Sequence, residues 1–207
     1  MQYITSTFAG LALGRQNADS AVAVIDVVED ISNRRNPVTF EFYKLTRLRL
    51  RETQTLAITP PFTDVSAQIR PIVLKPPPGH FGPRLNTTLA VDSGGPSAPV
   101  LDMLRKTRLD CNVLGAELAG NNMGLPARDG VFQTTRLELT GLLRYLLQNK
   151  LLQIPENMVF GEGFLEELAV IDSGNRASAQ EARVLAIGLA VWAIPRRQPN
   201  LVQQLAA

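Results

Sequence analysis

The chain has 207 residues, of which 45% are hydrophobic and 19% charged, and its formal net charge at pH 7 is +2. This composition excludes a disordered protein and predicts a single domain, residues 1–207, large enough to bury a substantial core. The charge is too small to indicate nucleic-acid binding by itself. The single cysteine excludes an internal disulfide and a cysteine-based zinc site, and the single histidine argues against a Ser-His-Asp triad.

The first fifty residues are predicted to form three antiparallel strands. Residues 4–13 are largely apolar, a short polar loop follows Gly14, and residues 21–28 form a second β-rich run, which is a hairpin pattern. After a turn at 32–37, residues 38–50 alternate well enough for a third strand. Five hydrophobic residues are expected on its buried side: Phe40, Phe42, Leu45, Leu48 and Leu50. Short turns between successive strands predict an antiparallel meander.

The rest of the chain is predicted to contain helices and short strands. A helix starts near residue 63 and kinks or ends at Pro71, and residues 121–129 form a loop. The other expected helices cover about 98–107, 135–150, 163–170 and 179–194, and the strands cover 86–92, part of 109–118 and 151–154. The predicted fold class is therefore α/β, with a mixed sheet of an antiparallel three-strand meander plus parallel strands, flanked by helices.

Asp92 is the first candidate site residue, because it ends an apolar strand and opens the Gly-rich turn SGGP. Ligands bind at the carboxyl ends of strands in open sheets, and a carboxylate there can hold Mg²⁺ or Mn²⁺. The alternative is that Asp92 only bonds the turn backbone or caps the next helix. The turn matches neither GxGxxG nor a Walker motif, so a nucleotide site is weakly supported.

Glu181 is the second candidate, at the start of the last helix, although Ser178 and Glu181 also have the spacing of a capping box. Basic residues form separate clusters along the chain. Four of them are expected to contact phosphates if the protein binds DNA: Arg34, Arg35, Arg47 and Arg49. The alternative for these arginines is a solvated surface.

Four segments together resemble one known family. They are GLALGRQNADSAVAV at 10–24, LAVDSGGPSAPVLDMLR at 89–105, LLRYLLQNKLLQIPE at 142–156 and AQEARVLAIGLAVW at 179–192. In this order they resemble the nuclease domain of phage terminase large subunits, a member of the ribonuclease H-like superfamily. The resemblance runs over nearly the whole chain and includes no ATPase domain and no Walker A motif.

The resemblance implies two-metal phosphodiester hydrolysis by acids of the first strand, a middle strand and the last helix. The first-strand position falls on Ala12, the middle one on Asp92, and the last-helix pair on Glu181 and Ala182. We therefore expect a degenerate nuclease whose remnant site, Asp92 and Glu181, binds either no metal or a single Mg²⁺ or Mn²⁺. Ala12 can be natural or engineered, and the altered residues 181–182 favour the natural origin.

Three functions remain open at this point. The resemblance favours a phage or prophage protein of the host cytoplasm or virion, with a structural, assembly or DNA-binding role. Its expected partners are double-stranded DNA or viral packaging and virion proteins, with no membrane association. The alternative is an active divalent-metal-dependent endonuclease with an altered metal site. A third interpretation is a small-molecule binder that uses the turn at Gly94 and Gly95.

Overall fold

One mixed sheet of eight strands organises the described part of the chain. The computed structural model describes residues 2–14, 19–58, 62, 64–78, 80, 85–118, 126–128, 130–155, 158, 179–199 and 201. The strands are β1 (Gln2–Ala12), β2 (Ser20–Arg35), β3 (Phe42–Leu56), β4 (Asn86–Asp92), β5 (Asn112–Leu118), β6 (Pro126–Arg128), β7 (Val131–Thr134) and β8 (Leu152–Gln153). Their order across the sheet is β6-β7-β5-β4-β1-β2-β3-β8.

The sheet combines the two kinds of strand pairing that the sequence predicts. Strands β1, β2 and β3 pair antiparallel in succession, which confirms the meander. Strand β4 pairs parallel with β1, β5 parallel with β4, and β7 parallel with β5, while β8 pairs parallel with β3. The mixed sheet is therefore confirmed, and β1 lies at its centre between an antiparallel and a parallel neighbour.

Helices cover both faces of this sheet. They are α1 (Val65–Val73), α2 (Ala98–Lys106), α3 (Arg136–Gln148) and α4 (Ala179–Arg197). One core cluster joins α1 and α2 to one face, and a second core cluster joins α3 and α4 to the other face. The helix predicted at 163–170 lies outside the described residues. Among the described residues, no helix is long and apolar enough to cross a membrane.

Two local features fix α3 and α4 against the sheet. The predicted cap of α3 is confirmed, because the Thr135 hydroxyl oxygen accepts a hydrogen bond from the Glu138 backbone N at 3.0 Å. Helix α4 crosses β1 so closely at Gly10 that a Cβ there would collide with the Ala186 carbonyl oxygen and lie 2.6 Å from Ala190 N. Glycine at this position therefore allows a helix backbone to lie directly on the sheet.

The structure corrects the prediction for the third strand. Strand β3 begins at Phe42 rather than at residue 38, and the expected buried residues Phe40, Phe42 and Leu45 are exposed by 72%, 42% and 47%. Only Leu48 and Leu50 are buried as predicted. Beyond the Gln2–Asp30 pair, β2 and β3 pair only with each other among the residues that the structure describes, until β8 joins β3 at Leu48 and Arg49. We call residues 29–45 the ribbon.

The predicted loop at 121–129 is also wrong in part. Residues 126–128 form β6, which pairs antiparallel with β7, and neither of these strands was predicted. Both are short, with three and four residues, and β6 begins with a proline. Strands this short carry too little alternation to be distinguished from a loop in a sequence.

Candidate functional site

The topology brings the candidate site positions to one edge of the sheet. Strands β1 and β4 run parallel, their last paired residues are Leu11 and Val91, and Ala12 and Asp92 follow directly. Ala12 belongs to the core cluster of α3 and α4, and Asp92 is on the same face because it follows Ala90 of that cluster by two residues. We call this end of β1 and β4, together with the start of α4, the candidate edge.

Asp92 is buried at the candidate edge, with 5% of its surface exposed. Its carboxylate Oδ1 accepts a hydrogen bond from the Gly94 backbone N at 3.0 Å. This is the geometry of an Asx turn, which stabilises the change of direction after β4. The turn-bonding role considered for Asp92 is therefore present, and it occupies one of the two carboxylate oxygens.

Glu181 is buried in the first turn of α4, with 6% of its surface exposed. Its Oε1 forms an ion pair with Nη1 of Arg136, the first residue of α3. The capping box considered for Glu181 involves Ser178, which lies outside the described residues. The ion pair means that a guanidinium already neutralises the carboxylate of the last helix.

Arg136 is a residue of the candidate edge that was not predicted from the sequence, although one local signal could have indicated it. Arginine at the first position of a helix places a cation near the positive end of the helix dipole, which is unfavourable. Such a residue is expected to have a carboxylate partner elsewhere in the fold. The sequence does not identify the partner, because residues 136 and 181 are brought together only by the packing of α3 on α4.

The described residues of the candidate edge do not fit a two-metal site. Ala12 and Ala182 are buried and offer no ligand atom, and Glu181 is paired with a cation. Among the described residues, no three His, Cys, Asp or Glu side chains form a group that could hold a metal ion. A divalent cation here would find Asp92 as its main anionic ligand and Arg136 as a repelling neighbour.

The four arginines expected to contact DNA are not at the candidate edge. Residue Ala21 lies opposite Ala12, and β2 then runs away from that edge to Arg35, roughly 45 Å along the strand at about 3.3 Å per residue. Arg34 and Arg35 are exposed on the ribbon, where the Arg35 guanidinium lies 4.6 Å from the centre of the Phe42 ring.

The other two arginines have carboxylate partners on β2. The Arg47 guanidinium lies 3.9 Å from Asp30 Oδ2, and the Arg49 guanidinium lies 3.9 Å from Asp26 Oδ2. These side chains are 39% and 34% exposed, so both ion pairs remain open to solvent on the arginine side. Their charge is therefore partly compensated, unlike that of an isolated surface arginine.

Comparisons with known proteins agree with the fold. No protein-family model matches the sequence, and no curated protein matches it. Two solved structures of the human cytomegalovirus terminase nuclease domain are similar. The manganese-soaked, inhibitor-bound structure has a TM-score of 0.52 and 10% identity, over 92% of this chain and 83% of that chain. The manganese-soaked structure has a TM-score of 0.47 and 9% identity, over 92% and 82%. The first likeness shows that this chain has the ribonuclease H-like fold of a terminase nuclease domain.

Proposed function

We propose that this chain is a phage or prophage protein that uses the terminase-nuclease-like fold without nuclease activity, in a structural, assembly or DNA-binding role. Its partners would be double-stranded DNA or viral packaging and virion proteins. The observation that carries the proposal is the ion pair between Glu181 and Arg136, at an edge where Ala12 and Ala182 supply no ligand.

The physical reason is the charge balance that two-metal hydrolysis requires. Two divalent cations about 4 Å apart repel each other strongly, and the carboxylates around them must offset that repulsion. At position 12 an alanine stands where the resemblance places one such carboxylate. Arg136 compensates the charge of Glu181. Asp92 is then the remaining carried-over carboxylate, and its Oδ1 accepts a hydrogen bond from the Gly94 backbone N.

One observation favours the alternative, an endonuclease that uses a single Mg²⁺ or Mn²⁺. Two carboxylates, Asp92 and Glu181, are buried at the same edge, and burying carboxylates costs free energy unless a partner compensates them. For Glu181 the partner is Arg136, and for Asp92 the amide of Gly94 contributes. Because these contacts also explain the burial, we rank this function second.

Nicking of supercoiled plasmid in Mg²⁺ or Mn²⁺ separates the two functions. The comparison uses the wild type, Asp92→Asn, and the matched control Asp102→Asn, which removes an exposed carboxylate from α2 on the opposite face. We expect all three proteins to nick DNA no faster than buffer alone. If the wild type and Asp102→Asn nick DNA only when the metal is present, and Asp92→Asn does not nick it, the proposal is overturned and the endonuclease is supported.

A further inference from the structure

A row of polar side chains crosses the sheet on the face covered by α1 and α2. In the strand registers Thr87 of β4 pairs with Thr7 of β1, Thr7 pairs with Asp26 of β2, and Asp26 pairs with Arg49 of β3. Thr87, Thr7 and Asp26 are 8%, 2% and 0% exposed. Towards the candidate edge the same face is apolar on all three inner strands. A buried polar row within an apolar face requires an explanation.

Arg51 adds a buried cation to this row. It is the extra residue of a β-bulge, because Ile25 pairs with Leu50 and Val24 pairs with Glu52. Its side chain is 7% exposed, and its Nη1 lies 3.4 Å from Asp26 Oδ1. Among the described residues, none accepts a hydrogen bond from the three guanidinium nitrogens of Arg51. The bulge therefore places a buried positive charge on this face beside Asp26, with its hydrogen-bond donors unused among the described residues.

A cavity of about 250 Å³ opens above the threonine end of the row. Thr7 and Thr87 line it, together with Lys75 and His80 from the segment after α1 and apolar groups that include Pro76 and Pro77. The Thr7 hydroxyl and Arg51 contact the same oxygen, Asp26 Oδ1, so the buried cation is one side chain away from the cavity lining. The volume is below the range of about 300–1,000 Å³ typical of sites for drug-sized ligands.

The hydrogen-bonding groups of the cavity define the ligand chemistry. The Thr7 hydroxyl donates to Asp26 Oδ1 at 3.0 Å, and the Thr87 hydroxyl donates to the Leu85 carbonyl oxygen at 3.4 Å, so both oxygens can accept from a ligand. Lys75 is a cationic donor, which at present contacts Glu52 Oε2 at 3.2 Å. The prolines supply an apolar wall. A fitting ligand carries an anion, hydroxyl donors and a short carbon skeleton.

We propose that this cavity binds a small hydroxylated phosphate monoester, a sugar phosphate smaller than a nucleotide. Lys75 and His80 bind the phosphate, the threonine oxygens accept hydrogen bonds from the sugar hydroxyls, and Pro76 and Pro77 pack on the sugar carbons. The two positive charges of Arg49 and Arg51 outnumber the single negative charge of Asp26, which they contact, and this favours an anion nearby. The site is on the opposite face from the candidate edge, so it is independent of any metal chemistry there.

Isothermal titration calorimetry of the full chain with ribose 5-phosphate tests the site. We expect saturable binding, weakened about tenfold in Lys75→Gln and unchanged in the matched control Lys106→Gln, which removes an equal charge at the end of α2. Thr87→Val should weaken ribose 5-phosphate about fivefold and leave inorganic phosphate unchanged. Circular dichroism checks that each variant is folded.

Two further ligands separate the possible sources of the phosphate. Displacement of ribose 5-phosphate by a 5′-phosphorylated eight-nucleotide DNA, but not by its unphosphorylated form, would mean that the site binds a strand end and would overturn the assignment to a ligand smaller than a nucleotide. No displacement by either assigns it to a free sugar phosphate. Three results would overturn the proposal. The first is no binding of ribose 5-phosphate at 10 mM, about the weakest affinity of interest for such a site. The others are equal affinities of Lys75→Gln and Lys106→Gln for ribose 5-phosphate, and binding of ribose as tight as that of ribose 5-phosphate.

Discussion

Asp26 is the residue whose ionisation should be most visible in the stability of the protein. It is fully buried, and this burial raises its pKa above the ordinary value of 3.8 despite the opposing effects of Arg51, Thr7, Arg49 and His80. The folded state therefore binds the proton more tightly than the unfolded state. Stability from this group is fully present below about pH 3.8 and is lost as the pH rises through the folded-state pKa.

Asp26→Asn removes this titration and gives the first test. The unfolding free energy of the wild type minus that of Asp26→Asn should fall as the pH rises above about 3.8, by about 1.4 kcal/mol for each unit between the two pKa values. Urea unfolding between pH 3 and 8 measures it. Asp30→Asn, which removes a carboxylate paired with Arg47 on the same strand, is the control. A difference that rises with pH would contradict the assigned direction.

The residue scale also shows where prediction of the site from sequence ends. The sequence predicts the places of Asp92 at the end of a strand and of Glu181 at the start of a helix, and their role as site residues stays a prediction. The sequence could not reveal that Arg136 neutralises Glu181, since this contact spans 45 positions. Arg51 was missed for a related reason: its burial depends on a bulge, and alternation along β3 alone gives no sign of it.

At the scale of elements, the contact between α4 and β1 depends on Gly10. Any side chain there collides with helix backbone rather than with the flexible end of another side chain. Gly10→Ala should therefore destabilise the protein by about 1–3 kcal/mol or more, because the helix must move away from a packed core. Gly141→Ala is the matched control, since a Cβ there meets nothing within 4 Å. It should be neutral or stabilising by up to about 1 kcal/mol, as expected in a helix.

Chemical denaturation of both glycine variants checks this difference. Equal effects would mean that α4 does not pack on β1 as closely as the structure indicates.

The elements were easier to predict from the sequence than the packing between them. Apolar periodicity indicated β1, β4 and α4 correctly, but it identified which residues share a face and not whether another layer covers that face. The same limitation led to the wrong prediction of burial for Phe40, Phe42 and Leu45.

At the scale of the whole molecule, the ribbon and the candidate edge are at opposite ends of β2. A DNA duplex bound by Arg34 and Arg35 would therefore contact the protein far from Asp92. This separation suits a binding or assembly role better than cleavage, which requires the phosphate contacts to surround the reacting group. The ribbon also carries exposed aromatic residues, Phe40, Phe42 and Tyr43, which could contact a protein partner instead.

Salt dependence of binding to a 20-base-pair duplex distinguishes these roles. If the ribbon contacts phosphates, Arg34→Ala/Arg35→Ala should reduce the slope of log K against log salt by about 2, because each phosphate contact contributes about 0.9. Arg47→Ala/Arg49→Ala should reduce it less, since both arginines face carboxylates. The control Lys106→Ala/Arg108→Ala removes two exposed charges, one at the last residue of α2 and one just after it. Fluorescence anisotropy provides the measurement.

Two outcomes would contradict the role of the ribbon. A slope that changes equally in all three variants would mean that net charge, rather than the ribbon, attracts the DNA. DNA binding that none of the variants alters would exclude these arginines from the DNA contact.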